Sequence, residues 1–175
     1  TDDAPMLVPR DPFMKHARPA RLVVLLHATE DRPLCVELSR HLAPVEQACD
    51  ARVWHRGHIQ PGQDEAETFA ERLAAADLVL ILVSADYLAH HNEEMESAIA
   101  STDRRGTPVI PVVLRACQWQ LTSLKGRSPL PANGEPVTKR LDRDAALDGI
   151  AEELRPLLQN LPAPADEVPT ELLAA

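Results

Sequence analysis

Three short apolar runs constrain this chain more than any other feature. "RLVVLLH" (21–27), "DLVLILVS" (77–84) and "TPVIPVVLR" (107–115) are built almost wholly of Val, Leu and Ile. A strand with one wet face alternates polar with apolar residues. A continuous β-branched and Leu-rich run suits a strand covered on both faces. Such strands belong to parallel sheets, and parallel neighbours must be joined by crossovers, usually helices.

The segments between the runs supply those helices. "DRPLCVELSRHLAPVEQA" (31–48) carries Leu34, Leu38, Leu42 and Val45 as one stripe, with Pro33 tolerated in its first turn. "DEAETFAERLAAA" (64–76) opens with acids, which complement the helix dipole. "NEEMESAIASTDRRG" (92–106) ends at Gly106, and "RDAALDGIAEELRPLLQN" (143–160) closes the periodic part of the chain. "ARVWH" (51–55) reads as a further short strand, and Pro111 places the fourth strand near an edge or a bulge. Strand and helix thus alternate throughout. The expected fold is α/β, a flavodoxin-like three-layer domain with a central parallel sheet of four to five strands and helices on both faces. Within it, 21–27, 77–84 and 108–114 are expected as inner strands. The domain is expected over 21–160, with an irregular lead-in (1–20) and a Pro/Ala-rich tail or linker (161–175).

Composition narrows the function classes. The net charge of −9 argues against non-specific binding to nucleic acid or to an anionic membrane. No apolar run reaches the roughly 18 residues a membrane span needs, and no signal peptide is visible. Three cysteines (Cys35, Cys49, Cys117) form no paired framework, which suits a reducing, cytoplasmic compartment.

In open parallel sheets, ligands gather where the carboxyl ends of the strands give way to loops. Three loops leave those ends here: 27–31, 55–63 and 84–93. They hold His27, His55, His58, His90 and His91, but no pair has the spacing of a metal-binding helix and no Cys pair joins them. Solvent-facing histidines and no metal are the expectation. No GxGxxG, GxxxxGK[ST] or GxSxG motif is present, so neither a dinucleotide cofactor cradle nor a serine nucleophile elbow is expected.

Five stretches in order carry a more specific signal. They are "RLVVLLHATEDRPLCVELSRHL", "VWHRGHIQPG", "ADLVLILVSADYL", "PVIPVVLRACQW" and "LPANGEPVTKRLDRDAALDGIAEEL". Together they resemble the bacterial TIR (Toll/interleukin receptor) domain over about residues 21–158. The resemblance implies that 55–62 is the family's BB loop, with Gly57, His58, Ile59, Pro61 and Gly62 forming homotypic assembly contacts. It implies an NAD-cleaving activity at the nicotinamide–ribose bond, with NAD as substrate and no cofactor. Glu94, before Met95 and four residues ahead of Ala98, matches the family's catalytic carboxylate, with Glu93 and Glu96 as fallbacks. His27, Thr29, Glu30, Trp54, Arg56 and His90 are the implied substrate-binding residues. The same resemblance suggests an effector of bacterial defence, switched on by self-association and by a sensor outside this chain. A catalytically silent interaction module is the alternative.

Two departures from the family pattern bear on the site. The W-x-D of the BB loop becomes Trp54-His55-Arg56, a base in place of an acid. The segment before Glu94 shortens to "AHHN", placing His90 where an aromatic that stacks on substrate is usual.

Overall fold

A computed structural model of the chain describes residues 20–162; the irregular lead-in and nearly all of the Pro/Ala-rich tail lie outside the described residues. Four strands, β1 (Arg21–Leu26), β2 (Ala51–Trp54), β3 (Leu78–Val83) and β4 (Val109–Val113), form one sheet in the order β2-β1-β3-β4. All three pairings are parallel, Val24 lying opposite both Trp54 and Val79, and Ile81 opposite Pro111. Five α-helices surround the sheet: α1 (Arg32–Cys49), α2 (Glu65–Ala75), α3 (Ala85–His90), α4 (Asn92–Arg105) and α5 (Arg143–Asn160).

Alternation along the strands builds two cores. Val23, Leu25, Leu78, Leu80, Leu82 and Val112 point to one face and pack with the stripes of α1 and α5. Val24, Leu26, Val79, Ile81, Val83 and Val113 point to the other, against Leu73 of α2, Tyr87 of α3 and Met95 and Ile99 of α4. Every residue of β3 is buried, which is what a central strand with two apolar faces requires. The expected stripe of Leu34, Leu38, Leu42 and Val45 is buried as a set. Gly106 caps α4 in the left-handed conformation (φ 71°), a geometry that costs a residue without Cβ little.

Two expectations are corrected. The 108–114 run was expected as an inner strand, but β4 is the outer strand of the ladder. Pro111 fits the position: its carbonyl faces outward, so the N–H that proline lacks falls on the side away from β3. The free side is partly closed by a two-residue bridge: Leu130 N donates to the Pro111 carbonyl (2.8 Å) and Val113 N to the Leu130 carbonyl (2.9 Å). Secondly, 84–93 is not a loop. Ser84 accepts a hydrogen bond from Tyr87 N and caps α3, and α4 begins directly after His91.

The strand order reverses between β1 and β3, so β1 leads outward to β2 while β3 leads to β4. The crevice at this reversal, at the carboxyl ends of the strands, is where an open sheet of this kind accommodates a ligand.

Candidate active site

The base of the crevice is a polar network joining three strand ends. Asp31, fully buried in the turn after β1, accepts hydrogen bonds from Ser84 Oγ after β3 and from Arg115 Nε after β4 (2.8 Å to Arg115). Asp31 falls late for an acid at a strand end, since β1 stops at Leu26. The turn Thr29–Asp31 folds it back beneath the crevice.

Above this base, Glu94 projects from the first turn of α4, with its side chain only 15% exposed. Arg56 Nη1 lies 2.9 Å from Oε1 and donates to Oε2 at 3.1 Å. His91 Nδ1 lies 3.0 Å from Oε2. The guanidinium itself is laid over the Phe69 ring at 4.2 Å, with Glu65 3.6 Å from its Nε. Glu94 therefore faces the loop after β2. Glu93 and Glu96 are exposed, Glu96 turning away to Ser123. Residues one and two positions away on a helix point about 100° and 200° elsewhere.

His90 is not the neighbour of Glu94. It ends α3 and is exposed, and the chain bends at His91 (φ −122°, ψ 22°) before α4 starts. Helical periodicity does not carry across that bend. His91, three residues before Glu94, shares its face and stacks on Tyr87 with ring centroids 5.3 Å apart and 11° between planes. An aromatic stack beside the carboxylate thus exists, made of Tyr87 and His91.

The other expected residues divide. Thr29 and Glu30 lie exposed at the rim of the crevice. Trp54 is a core residue, 7% exposed and tilted against Phe69 at 6.3 Å, so it supports the loop from below. In the BB loop, Gly57, His58, Pro61 and Gly62 are exposed, and Gly62 takes φ 90° in the turn before α2. Ile59 is half-buried and packs partly on its own domain's core.

His27 and His55 overturn the expectation of solvent-facing loop histidines, since both are 5% exposed. The strands deliver them inward. His27 Nδ1 lies 2.7 Å from the Ala28 carbonyl and so carries the proton. His55 Nδ1 accepts from Gly57 N at 3.0 Å, and a Cβ on Gly57 would fall 2.6 Å from the His55 ring. That position needs glycine. Burial, reinforced by His58, His27 and Arg32, pushes His55 down to about 4, and burial also lowers His27. Between about pH 6.5 and 4 the unfolded chain binds protons on these rings that the folded chain refuses. Stability is therefore fully present at pH 7 and is lost as pH falls through that window. The urea midpoint should drop between pH 7 and pH 5, and His55→Gln should flatten the drop.

Among the described residues, Arg21 Nε, His27 Nε2 and Tyr87 Oη are buried without a hydrogen-bond partner, while Glu94 Oε1 and Arg56 Nε are held by charge alone, facing Arg56 Nη1 and Glu65. Native folds pair nearly all buried polar atoms, so His27 Nε2 and Tyr87 Oη stand out.

With this geometry in view, comparison with known proteins is decisive on the family. The sequence model of the TIR domain matches residues 23–148, most of the chain. The chain belongs to the TIR domain family. It is also 27% identical over 156 residues to an uncharacterised protein, y4lF, of Sinorhizobium fredii, covering 87% of this chain and 48% of that protein. This TIR domain thus spans about half the length of that relative. The matched region contains every crevice residue named above. Among the described residues no helix is long and apolar enough to cross a membrane.

Proposed function

We propose that this TIR domain cleaves NAD at the bond between nicotinamide and ribose. The observation that carries the reading is Glu94: a carboxylate only 15% exposed at the strand reversal, held between Arg56 from the loop after β2 and His91 at the start of α4. In the reaction the C1′–N bond breaks and its electron pair neutralises the nicotinamide ring. Positive charge then develops across C1′ and the ring oxygen, and the Glu94 carboxylate stabilises it. Water adds at C1′ and loses a proton, giving ADP-ribose; an internal nucleophile in place of water gives a cyclic product. The outer face of His91, backed by the buried Tyr87 ring, supplies a flat surface beside the carboxylate for the leaving ring.

Arg56 has two positions in this scheme. Without substrate it neutralises Glu94. With substrate, its fixed fork turns to the pyrophosphate, which suits a guanidinium better than a carboxylate at a reacting centre does. Arg56→Ala removes a charge-assisted contact of about 1.5–3 kcal/mol, so KM for NAD should rise by about tenfold or more while kcat holds. Nicotinamide release followed by chromatography over a range of NAD concentrations checks this. A fall in kcat with KM unchanged would contradict the role.

The proposal includes self-association through the loop Gly57–Gly62, with a sensor domain outside this chain as the trigger and a bacterial defence system as the setting. Head-to-tail contacts of one loop on a different surface extend without closing. Ile59→Asp should abolish concentration-dependent light scattering. Because Ile59 is half-buried, the substitution should also cost about 1 kcal/mol in urea unfolding. A variant that still assembles would remove the loop from the interface.

One observation favours a second reading, a silent interaction module: both Arg56 and His91 already engage Glu94. Turnover by the unaltered domain separates the two.

A further inference from the structure

The fold gathers residues that are far apart in sequence into a cluster the proposed reaction does not use. His27 at the end of β1, Cys35 in the second turn of α1 and His55 at the end of β2 are all buried, and one ligand atom from each lies within 4.8 Å of the others. Their spacings of eight and twenty residues match no metal motif. Adjacent parallel strands place the two histidines side by side, with ring centroids 5.8 Å apart, and the helix between those strands brings Cys35 to them.

Packing alone is a poor account of the cluster. A buried imidazole nitrogen left without a partner costs about 1–3 kcal/mol, which an apolar side chain of similar size avoids. His27 leaves Nε2 in that condition, while its Nδ1 is fixed on the Ala28 carbonyl. A protein-bound metal asks for this arrangement in a histidine ligand: one nitrogen held by a carbonyl, the other bare and oriented.

We propose that His27, Cys35 and His55 form a binding site for a borderline-soft divalent ion of the zinc class, with water in the fourth position. Imidazole nitrogen and thiolate sulfur are both zinc ligands, and hard ions such as magnesium or calcium select oxygens instead. Metal–ligand bonds of about 2.1 Å to nitrogen and 2.3 Å to sulfur set tetrahedral ligand atoms roughly 3.6 Å apart. Side-chain rotations closing the cluster by about 1 Å therefore suffice. Binding releases the Cys35 thiol proton to solvent. It also takes His55 out of its hydrogen bond with Gly57, either by claiming Nδ1 or by moving the ring proton there. Ion uptake thus competes with the present turn Arg56–His58, which holds Arg56 over Glu94.

Cobalt(II) added to the reduced chain under anaerobic conditions reports the site without any reference to NAD. One equivalent should produce thiolate-to-cobalt charge-transfer absorption together with tetrahedral ligand-field bands, and zinc should abolish both. The double variant Cys49→Ala/Cys117→Ala should keep the signal. Cys35→Ala should lose the charge-transfer band, and His27→Gln should weaken cobalt binding at least tenfold, circular dichroism showing both folded. Absence of the charge-transfer band in the unaltered chain at excess cobalt would overturn the proposal, as would its survival in Cys35→Ala. Either result leaves the NAD reading standing, and a catalytically silent chain would still show the cobalt signal.

Discussion

Glu94→Gln should lower nicotinamide release by at least about 10²-fold while leaving the fold intact. The amide keeps the size of the carboxylate but cannot offset positive charge on the ribose, and removing one preorganised electrostatic group costs about 10²–10³ in kcat. Both kcat and kcat/KM should fall together, because the lost interaction exists only in the transition state. Stability should hold or rise slightly: the substitution removes a charge that is only 15% exposed, although it also ends the pairing with Arg56. Glu93→Gln and Glu96→Gln, on exposed faces of the same helix turn, should change turnover less than about twofold. Parallel loss in all three would show that the helix start as a whole, and not one carboxylate, matters.

Arg115→Ala should give the largest loss of stability among the polar substitutions. It leaves Asp31, with no exposed surface, a buried carboxylate held by Ser84 alone. Removing one partner of a buried pair typically costs about 3–5 kcal/mol. Arg115 itself is 46% exposed, so part of the attraction is already screened, and about 2–3 kcal/mol is the expected loss. Urea unfolding measures it. A double-mutant cycle with Asp31→Asn should recover a coupling well above the 0.3–0.5 kcal/mol scatter of independent sites, on the order of 1–2 kcal/mol. Additive effects would mean that the network does not bind the three strand ends together.

The fold was legible because its determinants are local. The all-apolar β3, the Leu34–Leu38–Leu42–Val45 stripe and the Gly106 cap each follow from a few neighbouring residues. The site was legible only where a residue's direction is fixed by its own element. Glu94 qualifies, lying in the first turn of α4 with Met95 and Ala98 packed beneath. His90 does not, because one bend at His91 decides which imidazole meets the carboxylate, and a change of direction at a single residue leaves no periodic trace. The burial of His27 and His55 and their meeting with Cys35 depend on strand neighbours, β1 beside β2, that no single segment encodes. Asp31 was missed for the same reason: its partners, Ser84 and Arg115, come from two other strand ends. Trp54 shows the converse, a residue assigned to the crevice through family pattern whose alternation along β2 turns it into the core.

The central claim is that a lone TIR domain with this crevice turns over NAD once it assembles. Nicotinamide release per molecule, measured across a hundredfold range of protein concentration with light scattering in the same samples, tests that claim most directly. Turnover per molecule should rise with concentration in step with scattering, and Ile59→Asp should hold both at the low-concentration value. Assembly without any nicotinamide release would contradict the enzymatic account and leave Glu94 as an acid paired with Arg56 at a helix start.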